Sequence, residues 1–155
     1  GKTTIGKALA QRLDMNFLDT DEYIEKSEGM SISEIFEKKG EEEFRRIETE
    51  TLKRLRDTVR GTVFSTGGGM PLRTENARLL KEIGRVFYLT AANQVIYDRV
   101  KEDTGRPLLQ GEDPYDRICA LMKERTSLYM GACDVQVDTN NNDIEEILSN
   151  IESYL

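Results

Sequence analysis

The chain opens on Gly1-Lys2-Thr3-Thr4, residue types suited to handling a phosphate. A glycine lets a backbone N–H come close to a phosphate oxygen. A lysine reaches the β- and γ-phosphates as a mobile point charge, and a threonine hydroxyl can bind Mg²⁺. The four residues match the end of the pattern G-x-x-x-x-G-K-[ST], with Gly1 as its second glycine. The first part of that motif, and the strand leading into it, are therefore expected ahead of Gly1. Taken alone, the tetrapeptide is equally compatible with an ordinary helix start and a solvated lysine.

Further along, Asp19-Thr20-Asp21 sets two carboxylates at what reads as a strand end. Residues two apart on an extended chain point the same way, so one carboxylate can hold Mg²⁺ through water while the other accepts a hydrogen bond from a hydroxyl. The plainer reading is a pair of turn-forming, helix-capping aspartates. Arg45 and Glu48 stand at i, i+3 within Phe44-Arg45-Arg46-Ile47-Glu48. A guanidinium placed in advance can bind both oxygens of a ligand carboxylate; the alternative is a solvated ion pair on an exposed helix face. Gly67, Gly68 and Gly69 follow an apolar run directly. They contribute nothing to core packing, which suits close approach by a ligand, a flexible joint, or a plain loop. Arg99, Arg106 and Arg125 add scattered positive charge, and Arg106 lies in a stretch able to fold over a nucleotide.

These residues need elements to position them. Ile5, Leu9 and Leu13 recur at helical spacing after the opening tetrapeptide, so the phosphate-binding residues open a helix whose dipole favours an anion. Residues 16–20 read as a strand and 21–27 as a helix broken by Gly29. Ser31-Ile32-Ser33-Glu34 is a capping box opening a helix that stops at Gly40. Residues 41–59 carry the longest helix, with an acidic first turn. Residues 62–65 form a buried-type strand, Thr74 caps the next helix, and 85–89 is another strand. A helix over 92–101 leads to a loop over 103–113, and Asp113-Pro114 starts a helix. The strand 134–138 and a helix over 143–155 complete the series. This alternation predicts an α/β fold with a parallel sheet covered on both faces. Ligands of such a sheet sit outside the strand C-terminal ends, where the opening tetrapeptide, the aspartates and the glycines all fall.

Composition narrows the classes. The 155 residues carry a net charge of −7, which argues against non-specific nucleic-acid or anionic-membrane binding. An anionic substrate therefore has to be held by locally clustered basic residues. There is no histidine, so no histidine of these residues acts as a relay or a metal ligand. Cys119 and Cys133 have no metal-type partners and read as buried or idle thiols in a reducing cytosol. No apolar run reaches the length of a membrane span.

The ordered set GKTTIGKALAQRL, FLDTDEYIE, GMSISEIFEKKGEEEFRRIE, STGGG, RPLL, KERTSLY and DVQVDT resembles the shikimate kinase family over essentially the whole chain. The resemblance implies a three-layer αβα P-loop NTPase fold of the nucleoside-monophosphate-kinase-like group. Its five-stranded parallel sheet has the order 2-3-1-4-5, with the first strand preceding Gly1. It implies one domain over 1–155, a substrate-binding region over about 21–60 and a lid over about 101–113. The implied activity is transfer of the γ-phosphate of ATP to the 3-hydroxyl of shikimate, with Mg²⁺, in a cytoplasmic monomer. Carried over by position, Gly1, Lys2, Thr3 and Thr4 hold ATP, with Thr3 and Asp19 at the metal. Asp21 binds the shikimate hydroxyls and is the candidate base. Arg45, supported by Glu48, and Arg125 bind its carboxylate, and Gly67, Gly68 and Gly69 line the pocket. Arg106 is the lid arginine on the phosphates and Arg99 stacks on adenine. Where some members have a basic residue by the base, this chain has Asn141 and Asn142, of which Asn142 is a hydrogen-bonding candidate. Two alternatives are a related small-molecule kinase such as gluconate kinase, and a catalytically inactive shikimate-kinase-like binding protein.

Overall fold

The computed structural model describes residues 1–101, 113–141 and 143–155. The expectations for Arg106, for the lid residues 102–112 and for Asn142 lie outside the described residues. In chain order the elements are α1 (Lys2–Arg12), β1 (Asn16–Asp19), α2 (Thr20–Glu28), α3 (Ile32–Lys39), α4 (Glu41–Thr58) and β2 (Thr62–Ser65). A 3-10 turn (Met70–Leu72) follows, then α5 (Thr74–Ile83), β3 (Phe87–Thr90), α6 (Asn93–Val100), α7 (Pro114–Ala132), β4 (Val135–Asp138) and α8 (Ile144–Glu152).

Local chemistry sets most boundaries. Ser31 and Glu34 make both hydrogen bonds of the capping box. Gly29 ends α2 in the left-handed conformation, at φ 67°. Asp113 accepts the Tyr115 N–H at 3.0 Å with Pro114 in the first helical turn. One expectation fails: Thr74 lies inside α5 instead of capping it. The cap position belongs to Arg73, and no side chain closes that end.

All strand pairing is parallel, as the alternation of elements requires. Asn16 to Asp19 pair with Thr62 to Ser65, and Phe87 to Thr90 pair with Val135 to Asp138. The expected five-stranded sheet is thus present as two pairs, β1–β2 and β3–β4. These pairs correspond to 2-3 and 4-5 of the expected order. The remaining strand was expected ahead of Gly1, and so is not contributed by these residues.

Side chains join the pairs where the ladders do not. Ile5 and Leu9 of α1 and Ile147, Leu148 and Ile151 of α8 bury against Val137. Val63 of β2 and Phe87 and Leu89 of β3 pack onto the same cluster. Gly6 lets α1 lie directly on β1, since a Cβ there would stand 2.8 Å from the Phe17 ring. Tyr88, of opposite parity on β3, meets Tyr129 of α7 with ring centroids 5.2 Å apart. Helices therefore cover both faces. A second cluster, built from Ile24, Ile35, Phe44, Ile47, Leu52, Met70, Leu79 and Leu80, locks α2 to α5 around the 3-10 turn.

Candidate active site

The C-terminal ends of β1 and β2 meet the start of α1. Thr3 Oγ1 donates to Asp19 Oδ2 at 3.2 Å and lies 3.5 Å from Ser65 Oγ. The other oxygen of Asp19, Oδ1, accepts the N–H groups of Asp21 and Glu22 at 3.0 and 3.4 Å, capping α2. The capping and metal-binding readings of this aspartate are therefore compatible, one per oxygen. Two hydroxyls and a carboxylate oxygen form a hard-oxygen set of the kind Mg²⁺ takes. Among the described residues no group of three or more His, Cys, Asp or Glu side chains could hold a metal. Such a sparse protein donor set suits an ion that keeps waters and shares phosphate oxygens. Gly1 precedes α1 with no side-chain cap, leaving that end suited to an anion.

Asp21 sits in the first turn of α2, where the expected helix over 21–27 places it, and not on an extended chain beside Asp19. Its Oδ1 is buried and has no hydrogen-bond partner among the described residues. Burial pushes this carboxyl above its ordinary range, with the nearby charges of Asp19 and Glu25 adding to the rise. Lys2 and Arg45 oppose it. An unpartnered buried carboxylate oxygen is costly unless a ligand donates to it.

On α4, Arg45 donates to Glu48 at 2.8 Å. Glu48 is only 1% exposed, so this is no solvated surface pair. Burial raises the Glu48 carboxyl, against the lowering influence of Arg45. The pair fixes the guanidinium, whose ring-side neighbour is Phe44 at 5.3 Å.

The glycine run 67–69 brings these groups together. A Cβ on Gly67 would stand 2.6 Å from Asp21 Oδ1, and one on Gly69 would stand 2.7 Å from Arg45 Cζ. At Gly68 the corresponding neighbours are the Tyr129 hydroxyl at 3.5 Å and Arg125 Nη1 at 3.8 Å. The close approach anticipated for these glycines is thus made by the chain's own side chains, each glycine facing a different one. Arg125 forms no hydrogen bond or ion pair with a described residue.

Arg99, on α6, stands apart, bonded to the residue that follows β4. It donates to Thr139 Oγ1 at 3.1 Å and to the Thr139 carbonyl at 2.5 Å, and Thr139 Oγ1 donates to the Thr90 carbonyl at 2.9 Å. Its edge is held against the strand ends. Asn141 is engaged by Glu146 and by the Asp143 N–H. Thr4 is exposed in the first turn of α1.

A family model for shikimate kinase matches residues 1–155. The chain belongs to the shikimate kinase family. It is 47% identical over 151 residues to a shikimate kinase of Thermodesulfovibrio yellowstonii, covering 97% of this chain and 86% of that protein. Against a shikimate kinase of Alkaliphilus oremlandii the identity is 44% over 153 residues, covering 97% and 90%. Among solved structures, the shikimate kinase of Acinetobacter baumannii in complex with shikimate is 37% identical, with a TM-score of 0.88 over 99% of this chain and 86% of that one. The shikimate kinase of Aquifex aeolicus gives 37% and 0.82 over 99% and 88%. Shikimate kinases are ATP-dependent phosphotransferases of aromatic amino acid biosynthesis.

Three residues that shape this site escaped the sequence. Ser65 supplies the second hydroxyl beside Thr3. Thr20, fully buried, accepts the Gly67 N–H at 3.1 Å. Tyr129 donates to the Gly68 carbonyl at 2.7 Å. Each acts across more than forty residues of chain, where no local pattern signals it.

Proposed function

We propose that this shikimate kinase transfers the γ-phosphoryl group of ATP to the 3-hydroxyl of shikimate. The observation that carries the reading is the glycine run 67–69, against which Asp21, Arg125 and Arg45 converge from three helices, beside the Thr3–Asp19 contact. Arg45 and Arg125 take the acceptor carboxylate. A guanidinium binds both oxygens at once, and Arg45 is oriented for this by Glu48. Asp21 Oδ1 accepts the hydrogen bond of the acceptor hydroxyl and takes its proton as the new O–P bond forms. Lys2, with the first N–H groups of α1, holds the phosphates, aided by Thr4 and Gly1. Thr3 and Asp19 would hold Mg²⁺, which would supply charge neutralisation on the phosphates. Arg99 offers the face of its guanidinium to adenine.

The lid arginine Arg106 and the base contact of Asn142 belong to the same proposal from the resemblance alone. Residues 1–155 act as one domain, as a monomer and in the cytoplasm, on small molecules and without nucleic acid or membrane. Among the described residues no helix is long and apolar enough to cross a membrane.

Coupled ADP release from Mg-ATP, first with shikimate and then with gluconate, tests the function. Turnover with shikimate alone is expected, and phosphorus NMR of the product places the phosphate on the 3-hydroxyl. Turnover with gluconate, or shikimate binding without turnover, overturns it.

A further inference from the structure

Of the KERTSLY stretch only Arg125 has a part in this chemistry, and Tyr129 has none. Tyr129 lies one helical turn beyond Arg125 on the same face of α7. Its hydroxyl donates to the Gly68 carbonyl at 2.7 Å and its ring packs 5.2 Å from that of Tyr88 on β3. The space above Gly68 is bounded by that hydroxyl at 3.5 Å and by Arg125 Nη1 at 3.8 Å, so phenol and guanidinium flank the same glycine. From the opposite side, the buried Thr20 hydroxyl accepts the Gly67 N–H at 3.1 Å. Glycines have no side chains to fix them and have the widest conformational freedom. Two hydroxyls therefore hold the run, one from the β1–α2 junction and one from α7.

We propose that Tyr129 is a positioning residue for acceptor binding: by tying α7 to the Gly68 carbonyl, it sets how far Arg125 stands from Arg45 and Asp21 across the glycine run. This rests on the acceptor site proposed above. Asp21 and Arg45 are packed against Gly67 and Gly69, whereas Arg125 reaches the site from α7. A carboxylate gripped by both arginines needs their separation fixed. The Tyr129–Gly68 hydrogen bond is the cross-link between those two sides. It joins the glycine run, not Lys2, Thr3 or Asp19, so its loss weakens the acceptor and spares the nucleotide.

Tyr129→Phe removes the hydroxyl and keeps the ring on Tyr88. Loss of one hydrogen bond predicts a rise in KM for shikimate of about three- to tenfold, with KM for ATP unchanged and a thermal midpoint within a few degrees of wild type. Combining it with Arg125→Gln separates positioning from general damage. If Tyr129 acts through Arg125, the double variant binds shikimate no more weakly than Arg125→Gln alone. Independent, multiplying losses, or equal losses for both substrates, overturn the proposal. Shikimate affinity is also read by calorimetry. A wild type that binds shikimate without turning it over sinks the kinase reading while Tyr129→Phe still decides the cross-link; a wild type that does not bind shikimate sinks both.

Discussion

Asp21 is held between opposed influences, and their balance sets its working range. Burial and the charges of Asp19 and Glu25 raise its carboxyl, while Lys2 and Arg45 lower it. A carboxyl shifted upward keeps its proton to higher pH, and only the ionised form can take the proton of the acceptor hydroxyl. In the free enzyme kcat/KM for shikimate should therefore rise with pH through an ionisation above the ordinary aspartate value of 3.8. Asp21→Asn should remove that limb together with most of the turnover. Glu25→Gln is the finer probe. It keeps an oxygen for the Ile32 N–H that Glu25 accepts at 2.9 Å, and it removes one of the charges that raise Asp21. The limb should then move to lower pH, and a pH profile of kcat/KM that stays in place would disprove the coupling. The same shift acts on folding with a definite sign. The folded state retains a proton that the unfolded state has released, so stability from Asp21 falls as pH rises through the window between the two values.

Between elements, the glycine run and the 3-10 turn after it transmit packing into the site. Asn76 of α5 donates to the Met70 carbonyl at 3.0 Å and accepts from Thr49 of α4 at 2.7 Å. Asn76→Ala takes the donor from the Met70 carbonyl, while the Thr49 hydroxyl keeps the Arg45 carbonyl at 3.2 Å, and should cost about 1–3 kcal/mol in denaturant unfolding. Gly69→Ala should act differently. Its methyl would sit 2.7 Å from Arg45 Cζ, forcing the guanidinium off the 2.8 Å bond to Glu48. An increase of about tenfold or more in KM for shikimate is expected, with KM for ATP held. Gly84→Ala is the control: no atom lies within 4 Å of its Cβ position, so steady-state kinetics should not change. These effects show what the sequence could carry. The Ser31–Glu34 box, the Asp113-Pro114 start and the Arg45–Glu48 pair were legible because each is fixed within one helical turn. Spacing could not tell that Glu48 is buried, because that depends on what packs from elsewhere. The identity of the partners facing the glycines was hidden for the same reason.

Across the whole molecule, the expected nucleotide contacts fall on both strand pairs. Lys2, Thr3 and Asp19 gather at the ends of β1 and β2, whereas Arg99 and Thr139 gather at the ends of β3 and β4. No ladder hydrogen bonds join the pairs among the described residues; their common support is the α1–α8 cluster with Val63, Phe87 and Val137. Strand alternation made the parallel pairing legible, but how two pairs share one apolar floor depends on side chains from five elements and is not written in any one of them. In the proposed site ATP reaches from one pair to the other, while shikimate takes the glycine run, beside the first pair and α7. The two ligands should therefore protect different amides in hydrogen exchange. Shikimate alone should slow the amides of Gly67 and Met70, which donate to Thr20 Oγ1 and to the Gly67 carbonyl. Mg-ATP should also slow the Thr139 amide, which donates to the Thr90 carbonyl at 2.9 Å. That amide lies at the far pair and reports engagement of Arg99 through the turn it grips. Equal protection of Thr139 by shikimate would mean that the pairs move as one body whatever binds. No protection there by Mg-ATP would remove Arg99 from the nucleotide site and leave the phosphate end as the nucleotide's whole anchorage.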